Sequence, residues 1–179
     1  MAEEKKNKRR TVLVTVGSTQ FEELIKAVDT LGFAEALIEQ GFQRLLIQYG
    51  PKGQYEPHLL QGDSSLRGRL EVESFRMTAE FAAILASSDL VISHAGAGTI
   101  IEGLGLRKAM VVVVNENLMG NHQVEIAEVL AEERHLYQTT PAKLLATLAE
   151  ADFGSLRPFP APTTSRFASF LDRAMGFDD

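Results

Sequence analysis

The sequence has no cysteine. Neither a disulfide framework nor a thiolate zinc site is available to it, and the composition suits a reducing compartment. No Asp-x-Asp triplet occurs, which disfavours chemistry that holds a nucleotide diphosphate through a metal bridged by two aspartates. His58, His94, His122 and His135 have no metal-helix spacing, and no pair stands in His-Glu-x-x-His order. There is no Gly-x-Ser-x-Gly elbow either. Unbroken apolar runs are short: Ala109 to Val114 reaches six residues, against the ~20 a membrane-spanning helix needs. The first ten residues are charged with no apolar h-region behind them, so no secretory signal is expected.

What remains is a chain of 179 residues, 45% of them apolar, with a net charge of −6. That describes one globular domain large enough to bury a core. The charge is uneven. Lys5, Lys6, Lys8, Arg9 and Arg10 crowd into residues 1–10, and outside that tail 13 basic residues face 22 acidic ones, a net charge of −9. A body that acidic repels a phosphate backbone, so nucleic acid is not an expected partner. The tail is expected to be disordered and solvated; the same charges would also suit an anionic membrane face or an import signal.

Strand and helix patterns alternate along the chain. Thr11 to Val16 is a β-branched and apolar run that stops at Gly17-Ser18-Thr19, the pattern of a buried strand entering a turn. Phe21, Leu24, Ile25 and Val28 follow at helical spacing; the period falters at Thr30 to Gly32 and resumes with Leu37 and Ile38 up to Gly41. Further strands are expected at 44–49, 70–75, 90–93, 109–114 and 136–138. Helices are expected at 77–87, 98–106, 121–134 and 142–151. This alternation predicts a doubly wound, Rossmann-like α/β domain over residues 11–151, its parallel sheet covered on both faces. Residues 152–179 differ: Pro158, Pro160 and Pro162 form a linker, and Phe167, Phe170, Leu171 and Ala174 recur at helical spacing in a C-terminal amphipathic helix. Such a helix packs on its own sheet or docks onto another protein or membrane surface.

Ligands of an open parallel sheet bind outside the carboxyl ends of its strands. Three loops there carry polar or glycine-rich sequence: Gly17 to Gln20, His94 to Thr99, and Asn115 to Gln123. In the middle loop Gly96 and Gly98 permit close backbone approach, and the helix opening near Thr99 offers unpaired N–H groups to an anion. It is not the dinucleotide fingerprint, because Ile101 stands where the third glycine belongs, and it is not a Walker loop, because no Gly-Lys-Ser/Thr follows. A tight strand-to-helix turn also needs glycine for purely structural reasons, so this loop alone leaves both roles open.

Three motifs together are more specific. Val14-Thr-Val-Gly-Ser-Thr19, Asp89-Leu-Val-Ile-Ser-His-Ala-Gly-Ala-Gly-Thr-Ile-Ile-Glu102 and Val111-Val-Val-Val-Asn-Glu-Asn-Leu-Met-Gly-Asn-His-Gln123 occur in that order. The run from about 11 to 140 resembles the family of cytosolic subunits of the two-chain UDP-N-acetylglucosamine transferase of N-glycan assembly. More distantly it is similar to the donor-binding half of GT-B glycosyltransferases, including the bacterial peptidoglycan N-acetylglucosaminyltransferase.

The resemblance implies the donor-binding half of a GT-B fold. It implies that His94, Gly96, Ala97, Gly98 and Thr99 meet the donor diphosphate, that Glu102 binds the ribose and that Asn121, His122 and Gln123 read the sugar. Gly17, Ser18 and Thr19 would line the cleft on the acceptor side. It further implies an inverting transfer to a dolichol-diphosphate acceptor; no cofactor is expected, and no motif seen requires a divalent metal. The partner would be a membrane-anchored, acceptor-binding subunit that supplies the base and holds the chain on the cytosolic face of the endoplasmic reticulum. Phe167, Phe170 and Leu171 would face that subunit. A two-chain polysaccharide transferase using another UDP-sugar, and a non-catalytic nucleotide-sugar-binding module, are the alternative functions.

Overall fold

Among the described residues six strands make one parallel sheet: β1 (Thr11–Thr15), β2 (Arg44–Gln48), β3 (Glu71–Phe75), β4 (Leu90–His94), β5 (Ala109–Val113) and β6 (Tyr137–Thr139). Their order across the sheet is β3-β2-β1-β4-β5-β6, and every neighbouring pair is parallel. The computed structural model describes residues 9–115 and 121–160, and the backbone alone at 121–123. The expected C-terminal helix with Phe167, Phe170 and Leu171, and the tail before Arg9, lie outside the described residues.

The connecting helices are α1 (Glu22–Val28), α2 (Leu31–Glu39), α3 (Phe81–Ser87), α4 (Ala97–Gly105), α5 (Asn121–Glu132) and α6 (Leu144–Glu150). They divide by face, as the uninterrupted apolar runs of the central strands require. On one face Val12, Val14 and Ile92 pack with Leu24 and Ile25 of α1, Phe33 and Leu37 of α2, and Leu144 and Leu148 of α6. On the other, Leu13, Val91, Met110 and Val112 pack with Leu85 of α3, Ile100 and Leu104 of α4, and Ala127 and Leu130 of α5. The doubly wound class expected from the alternation is the observed one.

Local chemistry moved several boundaries. The faltering helix is two helices: Thr30, in extended conformation, accepts a hydrogen bond from the Phe33 amide and caps a new start at Leu31. The α3 helix begins at Phe81 rather than Met77, because the Thr78 hydroxyl takes the Glu80 amide into a turn first. Before α6, Pro141–Lys143 form a 3₁₀ turn. Arg9 and Arg10, the end of the basic tail, are engaged: Arg9 pairs with Glu71 at 2.5 Å, and Arg10 donates to the Gln40 carbonyl at 2.6 Å while lying over the Phe42 ring. At the other end Phe153 stacks edge-on against Tyr137, and Phe159 against His135. Among the described residues no helix is long and apolar enough to cross a membrane.

Candidate functional site

The strand order reverses direction between β1 and β4, the topological switch point where open α/β sheets bind ligands. The turn after β1 and the loop after β4 face each other there. Gly17 occupies the left-handed region at φ +60°, which glycine adopts without the penalty a side chain would add. Thr19 closes the turn, its amide and hydroxyl both donating to the Val16 carbonyl at 3.2 and 2.8 Å. Gly17 is half-buried, whereas Ser18 and Thr19 are exposed at the rim.

Across the switch point, His94 ends β4 and the chain turns at once into α4. The Gly96 amide donates to the His94 carbonyl at 2.8 Å, and Gly96 is the N-cap of α4 with no side-chain cap. The first i→i−4 bond of the helix runs from Ile100 to the Gly96 carbonyl. The amides of Ala97, Gly98 and Thr99 therefore have no acceptor inside the helix, and they form its positive end. Among the described residues nothing lies within 4 Å of where a Gly98 β-carbon would stand, and Gly98 is exposed.

The His94 side chain binds the two loops together. A β-carbon at Gly17 would stand 2.9 Å from its Cε1, and one at Gly96 would stand 2.7 Å from the same atom. The imidazole is therefore wedged between the two glycines. Burial pushes its pKa below the usual histidine value, with the Thr15 carbonyl pulling the other way, so the ring is held towards its neutral form. Among the described residues no group completes a hydrogen bond of good geometry to its buried Nδ1, or to Oγ of the neighbouring Ser93.

Glu102 lies on α4 three residues beyond Thr99, less than one turn and about 4.5 Å along the axis. It is exposed, and its side chain has no hydrogen bond or ion pair among the described residues. The third loop follows β5, and α5 opens at Asn121, beside the same carboxyl edge. The side chains of Asn121, His122 and Gln123 are outside the described residues. No three His, Asp or Glu side chains come together as a metal-binding group among the described residues.

Gln48, the last residue of β2, was not among the residues the sequence singled out. It is 1% exposed, and its side-chain amide reaches into the Gly17 turn. Oε1 accepts from the Thr15 hydroxyl at 2.6 Å and the Gly17 amide at 2.9 Å; Nε2 donates to the Gly17 carbonyl at 2.8 Å and the Arg76 carbonyl at 2.7 Å. The available signal was one polar residue closing an apolar strand, Leu45-Leu46-Ile47-Gln48.

The geometry can be set beside known proteins. Residues 11–174 match the glycosyltransferase family 28 C-terminal domain model. The chain is 33% identical to the Saccharomyces cerevisiae UDP-N-acetylglucosamine transferase subunit ALG13 over 90% of its own length and 94% of the relative's. It is 37% identical to the human protein of that name, over 73% of this chain and only 11% of the human one. Among solved structures, the solution structure of ALG13 superposes with a TM-score of 0.66 at 29% identity, covering 92% and 96% of the two chains. MurG of Acinetobacter baumannii superposes with a TM-score of 0.64 at 18% identity and shares the fold, with this chain covering 50% of it.

Proposed function

The chain belongs to the glycosyltransferase family 28 C-terminal domain family, and we propose that it is the donor-binding subunit of an inverting transferase. In this reading it moves N-acetylglucosamine from UDP-N-acetylglucosamine to N-acetylglucosaminyl-diphosphodolichol, forming a β1,4 link. One observation carries the reading: the open N-terminus of α4 meets the Gly17 turn at the switch point of the sheet, in a chain related to UDP-N-acetylglucosamine transferase subunits.

Each residue then has a task. The amides of Ala97, Gly98 and Thr99 hold the diphosphate, on a backbone shaped by His94 and Gly96. Glu102 takes the ribose hydroxyls from the same helix, and Asn121, His122 and Gln123 read the sugar. Gly17, Ser18 and Thr19 line the acceptor side. As the anomeric C–O bond breaks, negative charge gathers on the departing UDP, and donors fixed in advance stabilise that charge more than they stabilise the bound substrate. Each helix-end interaction is worth about 0.3–1 kcal/mol when exposed, so several amides must act on the diphosphate together. The reading needs no cofactor, and no sequence motif in the chain calls for a divalent metal.

The acceptor hydroxyl must give up a proton to a base. His94 is poorly suited, because its Cε1–Nε2 edge is closed in by the two glycines. The base belongs to a second, membrane-anchored subunit, which also binds the lipid acceptor and holds this chain on the cytosolic face of the endoplasmic reticulum. Phe167, Phe170 and Leu171 contact that subunit.

Calorimetry of the full chain with UDP-N-acetylglucosamine, UDP-glucose and UDP-glucuronate tests the reading. Preference for UDP-N-acetylglucosamine supports it. Preference for another UDP-sugar points to a polysaccharide transferase, and no binding of any of them removes the donor role.

A further inference from the structure

We propose that Gln48 is a positioning residue of the donor cleft, its side-chain amide fixing the Gly17 turn against His94 and so setting the distance from that turn to the N-terminus of α4. The proposal rests on the UDP-sugar reading of the cleft.

The β1–β2 ladder supplies the reason an amide is needed here. Thr15 pairs with Gln48 as the last register pair, and the Val16 amide still donates to the Gln48 carbonyl at 3.2 Å. At Gly17 the backbone leaves the ladder at φ +60°, and both its N–H and its C=O lose strand partners. The Gln48 side chain replaces them, accepting from one and donating to the other as another peptide group would. Its second N–H ties the Arg76 carbonyl just beyond β3, and its oxygen takes the Thr15 hydroxyl, so all four hydrogen-bonding positions of the amide are used.

This clamp acts on a turn that lies against His94. Gly17 approaches the imidazole from one side and Gly96 from the other, so a displacement of Gly17 is transmitted to the ring and to the start of α4. With both polar groups of the Gly17 backbone committed to Gln48, exposed Ser18 is the member of the turn left to meet a substrate. Leucine would strand the Gly17 carbonyl and leave its amide only the 3.1 Å bond to the Thr15 hydroxyl, and an ionised glutamate would oppose the Gly17 and Arg76 carbonyls with negative charge.

The test compares the full chain as wild type, Gln48→Leu and Gln48→Glu, each well below its unfolding temperature. The dissociation constant for UDP-N-acetylglucosamine is measured by calorimetry, and the Gly17 amide and His94 Cε1–H resonances by NMR. In Gln48→Leu the dissociation constant should rise about tenfold, a change equivalent to losing one good contact, and the His94 resonance should move before any donor is added. Gln48→Glu keeps the acceptor to Gly17 and should fall between the two; it carries the comparison if Gln48→Leu fails to fold. Folded variants with a wild-type dissociation constant and an unmoved His94 resonance, and only a lower melting temperature, would reduce Gln48 to a sheet cross-link and overturn the proposal. A wild type that ignores the donor would bring down the cleft reading itself, and the proposal with it.

Discussion

Gly96 lies so close to the His94 imidazole that a β-carbon on it would stand 2.7 Å from Cε1 and overlap Nε2. Gly96 has φ −78°, a conformation open to any residue, so glycine is required there for space and not for backbone freedom. Gly96→Ala should destabilise the fold by about 1–3 kcal/mol through overpacking. His94→Ala should remove most of that cost in the double variant. A denaturation cycle measures the coupling, and additive single effects would contradict the wedge.

The loop after β2 hangs on Asp29, which is 1% exposed. Its carboxylate accepts from the Tyr55 hydroxyl at 2.7 Å and from the amides of His58, Leu59 and Leu60 at 2.8, 3.1 and 3.1 Å. Burial raises its pKa, but these four bonds outweigh burial and hold it below the ordinary value, while Tyr55 is pushed up to about 12. Asp29→Ala should cost about 3–5 kcal/mol, since it leaves four donors without an acceptor, and Tyr55→Phe about 1–2 kcal/mol. Urea denaturation distinguishes them; equal, small losses would mean the loop is anchored elsewhere.

His94 and Asp29 each give stability a pH dependence. The folded chain holds the His94 proton less firmly than the unfolded chain, whose value lies near 6.5. Protonation therefore favours unfolding, and stability falls as pH drops through and below that value. Asp29 contributes stability that is present above 3.8 and lost as pH falls through its lower folded value. Unfolding free energies between pH 8 and 5 should show the first decline in wild type and a flatter profile in His94→Gln. An unchanged slope in the variant would assign the decline to another group.

Much of this was legible beforehand, and the boundary has a physical origin. Strand and helix periods reported the two-faced sheet, because burial acts on each element separately. The three loops were legible for the same reason, since they begin where those periods stop. Asp29 and Gln48 were not. Each stands at the end of an element, Asp29 closing α1 and Gln48 closing β2, and its partners come from elsewhere in the chain: residues 55–60 for Asp29, and residues 15, 17 and 76 for Gln48. The wedge of His94 between Gly17 and Gly96 joins residues 77 apart, and only the β1–β4 pairing brings them together.

Glu102 is exposed and its side chain has no partner among the described residues, so its replacement isolates binding from folding. Glu102→Gln should leave the melting temperature unchanged and weaken UDP-N-acetylglucosamine binding by about tenfold, the loss of one charge-assisted hydrogen bond. Unchanged affinity would remove the ribose role.

Truncation after Thr163 tests the assignment of Phe167, Phe170 and Leu171. The shortened chain should no longer co-purify with a membrane-anchored second subunit yet should still bind the donor. Retained co-purification would return these side chains to the domain's own packing.

The donor site itself is open to amide chemical-shift mapping of the full chain titrated with UDP-N-acetylglucosamine. The largest shifts should fall on Ala97, Gly98 and Thr99, with smaller ones on Gly17 and Ser18, and UDP alone should reproduce the first group. Saturable binding that leaves those amides unmoved would contradict a diphosphate site at the N-terminus of α4.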